Sequence, residues 1–349
     1  MRSEHVQAEA AVAEGDLSPQ LGPVVAIPRG RASIVAFKFG GTSLLGAQRM
    51  LHAAGLVRPV AEASQVVVVV SAMKGVTDRL LAIAQLLAER KNQHARAEAE
   101  AVLRLHCGVV DELALDAEEH DRVSYQLDLL GRDLLHEVPA HDYVAATPEL
   151  FDRLASFGER FSARLFAAAL ESSGVAAVPV SSSEFVLTCD TFRDAKPHLE
   201  QTRRRGRDLL VPLLEDGVVP VVTGFIGATP DGRITTLGRN SSDFSGAIIA
   251  HVVDADELVI WTDVDGIYTA NPNESVQARL LQDLSYDEAH ALAASGAKVL
   301  HPHVLPLAAE NEMTVWVRNT FKPHARGTRI GLSRCSNSRS PQVKQEGAA

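Results

Sequence analysis

Residues 34–43 read Ile34-Val35-Ala36-Phe37-Lys38-Phe39-Gly40-Gly41-Thr42-Ser43. An apolar run broken only by Lys38 ends at a glycine pair. Such a run suits a strand covered on both faces, as in a parallel sheet. A second run, Gln65 to Val70, is β-branched almost throughout, and residues 44–58 between the two can form a helix. The result is a βαβ unit, whose crossover should be right-handed. Working outward, residues 79–137 are dominated by Ala, Leu, Glu and Arg and read as helices inserted after the second strand. From Phe151 onward, Leu154, Phe157, Phe161 and Leu165 recur at helical spacing, which predicts a helix with one buried stripe. Strands are expected at 177–180, 218–223, 257–262 and 313–318. Asp231-Gly232 is a turn dipeptide between segments 224–229 and 233–237 and predicts a hairpin. The fold class is therefore α/β with a mainly parallel sheet over residues 32–330, and ligands should bind at the carboxyl ends of its strands. Gly224, Gly227 and Pro230 cluster where a boundary between two lobes, about 32–225 and 226–330, is expected.

Composition narrows the function. The chain has 349 residues, 46% of them hydrophobic, and a net charge of -10. That balance argues against a nucleic-acid or anionic-membrane surface as the main partner, since both want a basic stripe. Cys107, Cys189 and Cys335 are scattered without a CxxC pair, so neither a disulfide framework nor a zinc site is expected. This cysteine usage fits a reducing, cytoplasmic setting. Residues 1–31 lack the basic start and apolar run of a signal peptide and are expected to form a disordered tail. Residues 331–349, polar and without periodicity, are expected to form a second one.

Several polar segments sit where such a sheet would place chemistry. The glycine pair after Lys38 allows a sharp turn, and the helix that follows offers partial positive charge to an anion. It is not a Walker A loop, and no GxGxxG is present. Taken alone, the hexapeptide reads equally as a plain Gly-Gly turn with a surface lysine. Ser71 closes the second strand; Thr77 and Asp78 follow, with Asp78 suited to a helix cap. Glu159, off the 154/157/161 stripe, reads on its own as a solvated glutamate; its functional reading is an anion for a substrate ammonium. Arg239 can grip a carboxylate in a bidentate pair, and Asp243 can orient an ammonium or a lysine. Ser242 and Asp243 also suit the cap and first turn of a helix. Thr262 and Asp263 end another strand with a polar tip, and Lys298 is a second lysine that could reach a transferred phosphoryl group. His301-Pro302-His303 lacks the further ligands a metal site needs, and Arg203-Arg204-Arg205 reads as a solvated helix face.

Six ordered blocks together are similar to the aspartate kinase family of the amino-acid kinase superfamily. They are KFGGTS at 38–43, VVVVSAMKGVTD at 67–78, SFGER at 156–160, TTLGRNSSD at 235–243, WTDVDGIYTANP at 261–272 and LSYDEAHALAASGAKVLHP at 284–302. The resemblance implies a three-layer α/β/α fold with an acceptor lobe and an ATP lobe. It implies transfer of the γ-phosphoryl of ATP to L-aspartate, with magnesium held mostly by phosphate oxygens and no dedicated metal ligands. It places Lys38, Gly40, Gly41 and Ser43 at the phosphates and Ser71, Thr77, Glu159, Arg239, Ser242 and Asp243 around the amino acid. Thr262, Asp263, Tyr268 and Lys298 would meet ATP, and Lys38 and Asp243 would be the catalytic pair. The family's Gly-Gly or Asn-Gly after the arginine is Asn240-Ser241 here, so a side chain at Ser241 is expected to crowd the acceptor pocket. Another amino acid or an aspartate derivative as acceptor, or a catalytically weak ligand-binding or partner protein, are the alternatives. The arginine usual after the ATP-lobe Asp-Pro is Asn273. The stretch 331–349 is shorter than the roughly 50 residues of a small domain, so the family's two ACT-type regulatory domains are expected to be missing, and feedback through them with them. Without their dimer contact, assembly into a homo-oligomer stays open.

Overall fold

The computed structural model describes residues 33–139, 145–238, 241–270, 275, 277–294 and 300–332. β1 (Ile34–Phe39) leads through a 3-10 turn (Gly41–Leu44) to α1 (Ala47–Ala61) and β2 (Gln65–Val70). Then come α2 (Val76–Ala88), α3 (Asn92–Glu112), α4 (Ala117–Glu137) and α5 (Pro148–Ser172). β3 (Ala177–Val180), α6 (Leu199–Glu215) and β4 (Val219–Thr223) precede the hairpin of β5 (Ile226–Ala228) and β6 (Ile234–Thr236). After it lie α7 (Ser242–Val252), β7 (Glu257–Thr262), β8 (Ile267–Tyr268), β9 (Leu280–Leu281) and β10 (Asp283–Ser285). The last elements are α8 (Tyr286–Ala294), α9 (Val304–Glu310), β11 (Thr314–Asn319) and β12 (Thr328–Gly331).

The main sheet runs β10-β12-β11-β7-β1-β2-β4-β3. β1 lies at its centre, parallel to both neighbours, β2 and β7. Only the β11–β12 pair is antiparallel. The side-chain period of two splits the central strands between two cores. Val35, Phe37 and Phe39 face the layer of α1–α5, together with Val66, Val68 and Val70. Ile34 and Ala36 face the layer of α6, α7 and α9, together with Val67 and Val69. Both faces are covered, so the fold is a three-layer α/β/α sandwich, as the continuous apolar runs predicted. By the same alternation, Lys38 shares the α7 face.

The expected hairpin forms, with β5 antiparallel to β6 and Gly232 at φ +88° in its turn. α1 starts three residues later than expected because residues 41–44 are spent on the 3-10 turn, closed by Ser43 N–H to Gly40 O at 2.9 Å. β12 carries the fold one residue past the expected end at 330. Its sequence, Thr-Arg-Ile-Gly, is too short and too polar to give a strand signal.

α5 is the element that brings the central strands and the inserted helices together. It passes the end of β2 so closely that a Cβ on Gly158 would stand 2.7 Å from the Ala72 Cβ. Gly158→Ala should therefore cost about 1–3 kcal/mol of stability through overpacking. Urea unfolding at neutral pH checks this; an unchanged midpoint would show that the helix can slide away freely.

Candidate active site

The carboxyl ends of β1, β2 and β7 meet at one edge of the sheet. Lys38 is the penultimate residue of β1 and is only 7% exposed. Its stem passes α7 where Gly246 has no side chain: a Cβ there would stand 3.1 Å from Lys38 Cβ. That close approach delivers the first turn of α7 to the lysine, and Lys38 Nζ lies 2.7 Å from Asp243 Oδ1. Asp243 gains twice, from the lysine and from the partial positive charge of its helix N-terminus. A buried lysine needs such a partner, because an unpaired charge in the interior costs several kcal/mol.

Glu159 reaches the same edge from the opposite layer. It is 2% exposed, and its Oε1 accepts a hydrogen bond from the Ala72 N–H at 3.1 Å. Its Oε2 has no partner within the described residues. Burial pushes the carboxyl up to about 8, against the pull of the Ala72 N–H and the Lys38 charge. The expectation of a solvated glutamate is thus overturned. Counting one apolar stripe missed that α5 is enclosed on several sides, with Leu154 through Glu159 buried in succession.

Ser71 is buried at the end of β2, its N–H on the Phe39 carbonyl at 3.2 Å, and Thr77 is half-buried in the first turn of α2. The cap of α2 is Gly75, in the left-handed region at φ +85°, rather than Asp78. By residue 78 the backbone is already helical, so Asp78 instead sits in the first turn. Ser43, expected at the phosphates, is fully buried with its hydroxyl 2.7 Å from Thr320 Oγ1. The Gly40 N–H is also taken, by the Trp261 carbonyl at 3.2 Å, because the β1–β7 ladder runs on past Phe39. Gly41 follows, its carbonyl accepting the Lys74 N–H at 3.1 Å.

The cap of α7 is Ser241, one residue earlier than expected, and Ser242 is its first helical residue. Ser241 is fully buried, and its hydroxyl donates to the Gly238 carbonyl at 2.7 Å. Arg239, Asn240, Asn273 and Lys298 lie outside the described residues. Thr262 ends β7 with its hydroxyl on Asp263 Oδ1 at 3.3 Å; Asp263 is exposed and Tyr268 half-buried on β8. Asn319 was not singled out in the sequence, yet it holds this turn. Its Nδ2 donates to Asp265 Oδ1 at 2.6 Å, and Lys322 Nζ lies 3.0 Å from Asp265 Oδ2. A lone Asn at a strand end gives no sequence signal for such a clamp.

His301 stacks on Phe244 with ring centroids 5.4 Å apart, and His303 packs beside both. Arg203 pairs with Asp254 at 2.6 Å, so the arginine run is not wholly a solvated face. Among the described residues no helix is long and apolar enough to cross a membrane.

Residues 33–319 match the model of the amino acid kinase family. The chain belongs to that family. Among the curated members it resembles, the lysine-sensitive aspartokinase 3 of Escherichia coli (strain K12) is 32% identical over 89% of this chain and 66% of its own length. Aspartokinase 1, chloroplastic, of Arabidopsis thaliana is 35% identical over 85% of this chain and 52% of its own. A crystal structure of E. coli aspartokinase III in complex with aspartate and ADP superposes with a TM-score of 0.77 at 31% identity. It covers 87% of this chain and 65% of that one. The chain thus spans between about half and two thirds of these family members, and the resemblance to aspartate kinases read from the six blocks is borne out.

The Glu159 environment makes a pH prediction. Its folded carboxyl titrates above its unfolded value, so the proton is bound more tightly in the native state. Stability is then fully present below about pH 4.5 and is lost as pH rises through about 8. Glu159→Gln should be free of this loss, gaining up to a few kcal/mol on the wild type above pH 8. Chemical unfolding of both proteins without substrates, from pH 5 to pH 9, reads it; parallel pH profiles would refute it.

Proposed function

We propose that this protein is an aspartate kinase, moving the γ-phosphoryl group of ATP to the β-carboxylate of L-aspartate to give 4-phospho-L-aspartate and ADP. The observation that carries the reading is the meeting of Lys38, Asp243 and Glu159 at the carboxyl ends of the central strands. A buried cation stands beside one carboxylate and in the field of another. The related E. coli aspartokinase III structure in complex with aspartate and ADP supports the same substrates.

In the reaction a β-carboxylate oxygen bonds to the γ-phosphorus while the bond from that phosphorus to the ADP oxygen breaks. An ionised carboxylate is already a nucleophile, so no strong general base is needed, and the protein contributes position and charge. Lys38 stabilises the phosphoryl oxygens, with the Gly41 amide at the turn beside it. Asp243 holds Lys38 in place. Glu159, with Oε2 unpaired, takes the ammonium of the amino acid; Ser71 and Thr77 line the same side, and Arg239 grips the α-carboxylate. Thr262, Asp263, Tyr268 and Lys298 serve ATP. The described residues hold no group of three or more His, Cys, Asp or Glu side chains that could cage an ion. Magnesium would be carried on the phosphate oxygens of ATP, where it would neutralise their charge.

ATP consumption with hydroxylamine trapping, across a panel of amino acids, should show turnover with L-aspartate. Turnover with a different amino acid alone would overturn the assignment. Lys38→Met should lower kcat by roughly 10²–10³-fold or more in a folded protein. Near-normal turnover would remove Lys38 from the transition state.

A further inference from the structure

We infer that Asp152 is a positioning residue for the amino-acid pocket, tying the helix that carries Glu159 to the chain segment that leads to Asp243. The inference rests on the aspartate kinase reading for its kinetic consequences but on geometry for its substance.

Asp152 lies on α5, about two turns before Glu159, and is 2% exposed. Its Oδ2 accepts the N–H of Thr236 at 2.9 Å and the N–H of Arg193 at 2.8 Å. Its Oδ1 accepts the Thr236 hydroxyl at 2.7 Å. Thr236 closes β6, and the chain then runs through Gly238 to α7 and Asp243. The Thr236 carbonyl in turn accepts the Ala195 N–H at 2.9 Å. One carboxylate and one threonine thus join three segments: α5, residues 193–195 and the end of β6. Residues 193–195 also pack against Gly238, since Asp194 Oδ1 stands 2.9 Å from where a Cβ on Gly238 would be. Arg193 is held in the left-handed region at φ +70°, with its guanidinium over the Phe151 ring at 4.9 Å. A carboxylate that accepts three hydrogen bonds is a demanding thing to bury, and burial pushes its carboxyl up while those bonds oppose the shift. Glu159 and Asp152 share one continuous helix. That helix therefore sets the distance between the ammonium site and the arm that brings Asp243 to Lys38.

The test uses Asp152→Asn, Thr236→Val and Thr236→Ser in the full chain. Asp152→Asn turns an acceptor into a donor facing donors, and Thr236→Val removes only the hydroxyl bond. Both should raise the KM for aspartate by about tenfold or more, with the KM for ATP within about twofold. Thr236→Ser, which keeps the hydroxyl, should restore the aspartate KM. Amide hydrogen exchange at Arg193, Ala195 and Thr236 should quicken, while β1 and β2 keep their protection. An unchanged aspartate KM, an equal rise in both KM values, or faster exchange throughout the sheet would overturn the assignment. If Asp152→Asn fails to fold, Thr236→Val, which keeps the carboxylate, decides by the same comparison. If the wild type does not turn over aspartate, the functional reading fails, while exchange at residues 193–195 still decides the role of Asp152.

Discussion

A positive charge held inside the protein at the end of the central strand is the constraint on which the site depends. Lys38 is buried because β1 is covered on both faces. Its charge can stay there only if a carboxylate comes with it. Asp243 is that carboxylate, and it arrives because α7 packs against β1 at a residue without a side chain. The rest follows outward: the end of β6 and the start of α7 must each be held. Ser241 does this at the cap and Asp152 at the far end of the arm.

Glu159 adds the opposite demand. It is a second buried carboxylate on the other layer, with one oxygen unpartnered among the described residues. Its burial favours the protonated form, which is an expensive arrangement for a purely structural group. A ligand ammonium would satisfy the free oxygen and restore the charge. The site is thus poised rather than relaxed: one cation is already paired, and one carboxylate waits for a partner. Perturbed groups of this kind gather where a protein does chemistry.

Much of this was legible in the sequence, and the reasons are physical. The apolar runs at 34–39 and 65–70 could only be covered strands, and the sheet places them side by side. Asp231-Gly232 announced its hairpin because few dipeptides tolerate that turn. Lys38 and Asp243 could be named because short polar blocks at strand and helix ends stand out from an apolar background, whereas Glu159, in the middle of α5, was named through the family resemblance of its block. What escaped was whatever depends on packing from far along the chain. Glu159 looked solvated because a helical wheel shows one face, whereas α5 is enclosed on several. Asp152 and Asn319 gave no signal because their partners lie dozens of residues away. Ser43 belonged to a clear motif, yet its hydroxyl is spent on Thr320.

The most direct measurement of the Lys38–Asp243 pair is a double-mutant cycle on kcat/KM for aspartate phosphorylation, using Lys38→Met, Asp243→Asn and the two combined. If the carboxylate acts by holding the lysine, the double variant should be little worse than Lys38→Met alone. The coupling energy would then be about 1–3 kcal/mol. Fully additive losses, with a coupling near zero, would show that the two side chains act separately and that the buried pair does not organise the site.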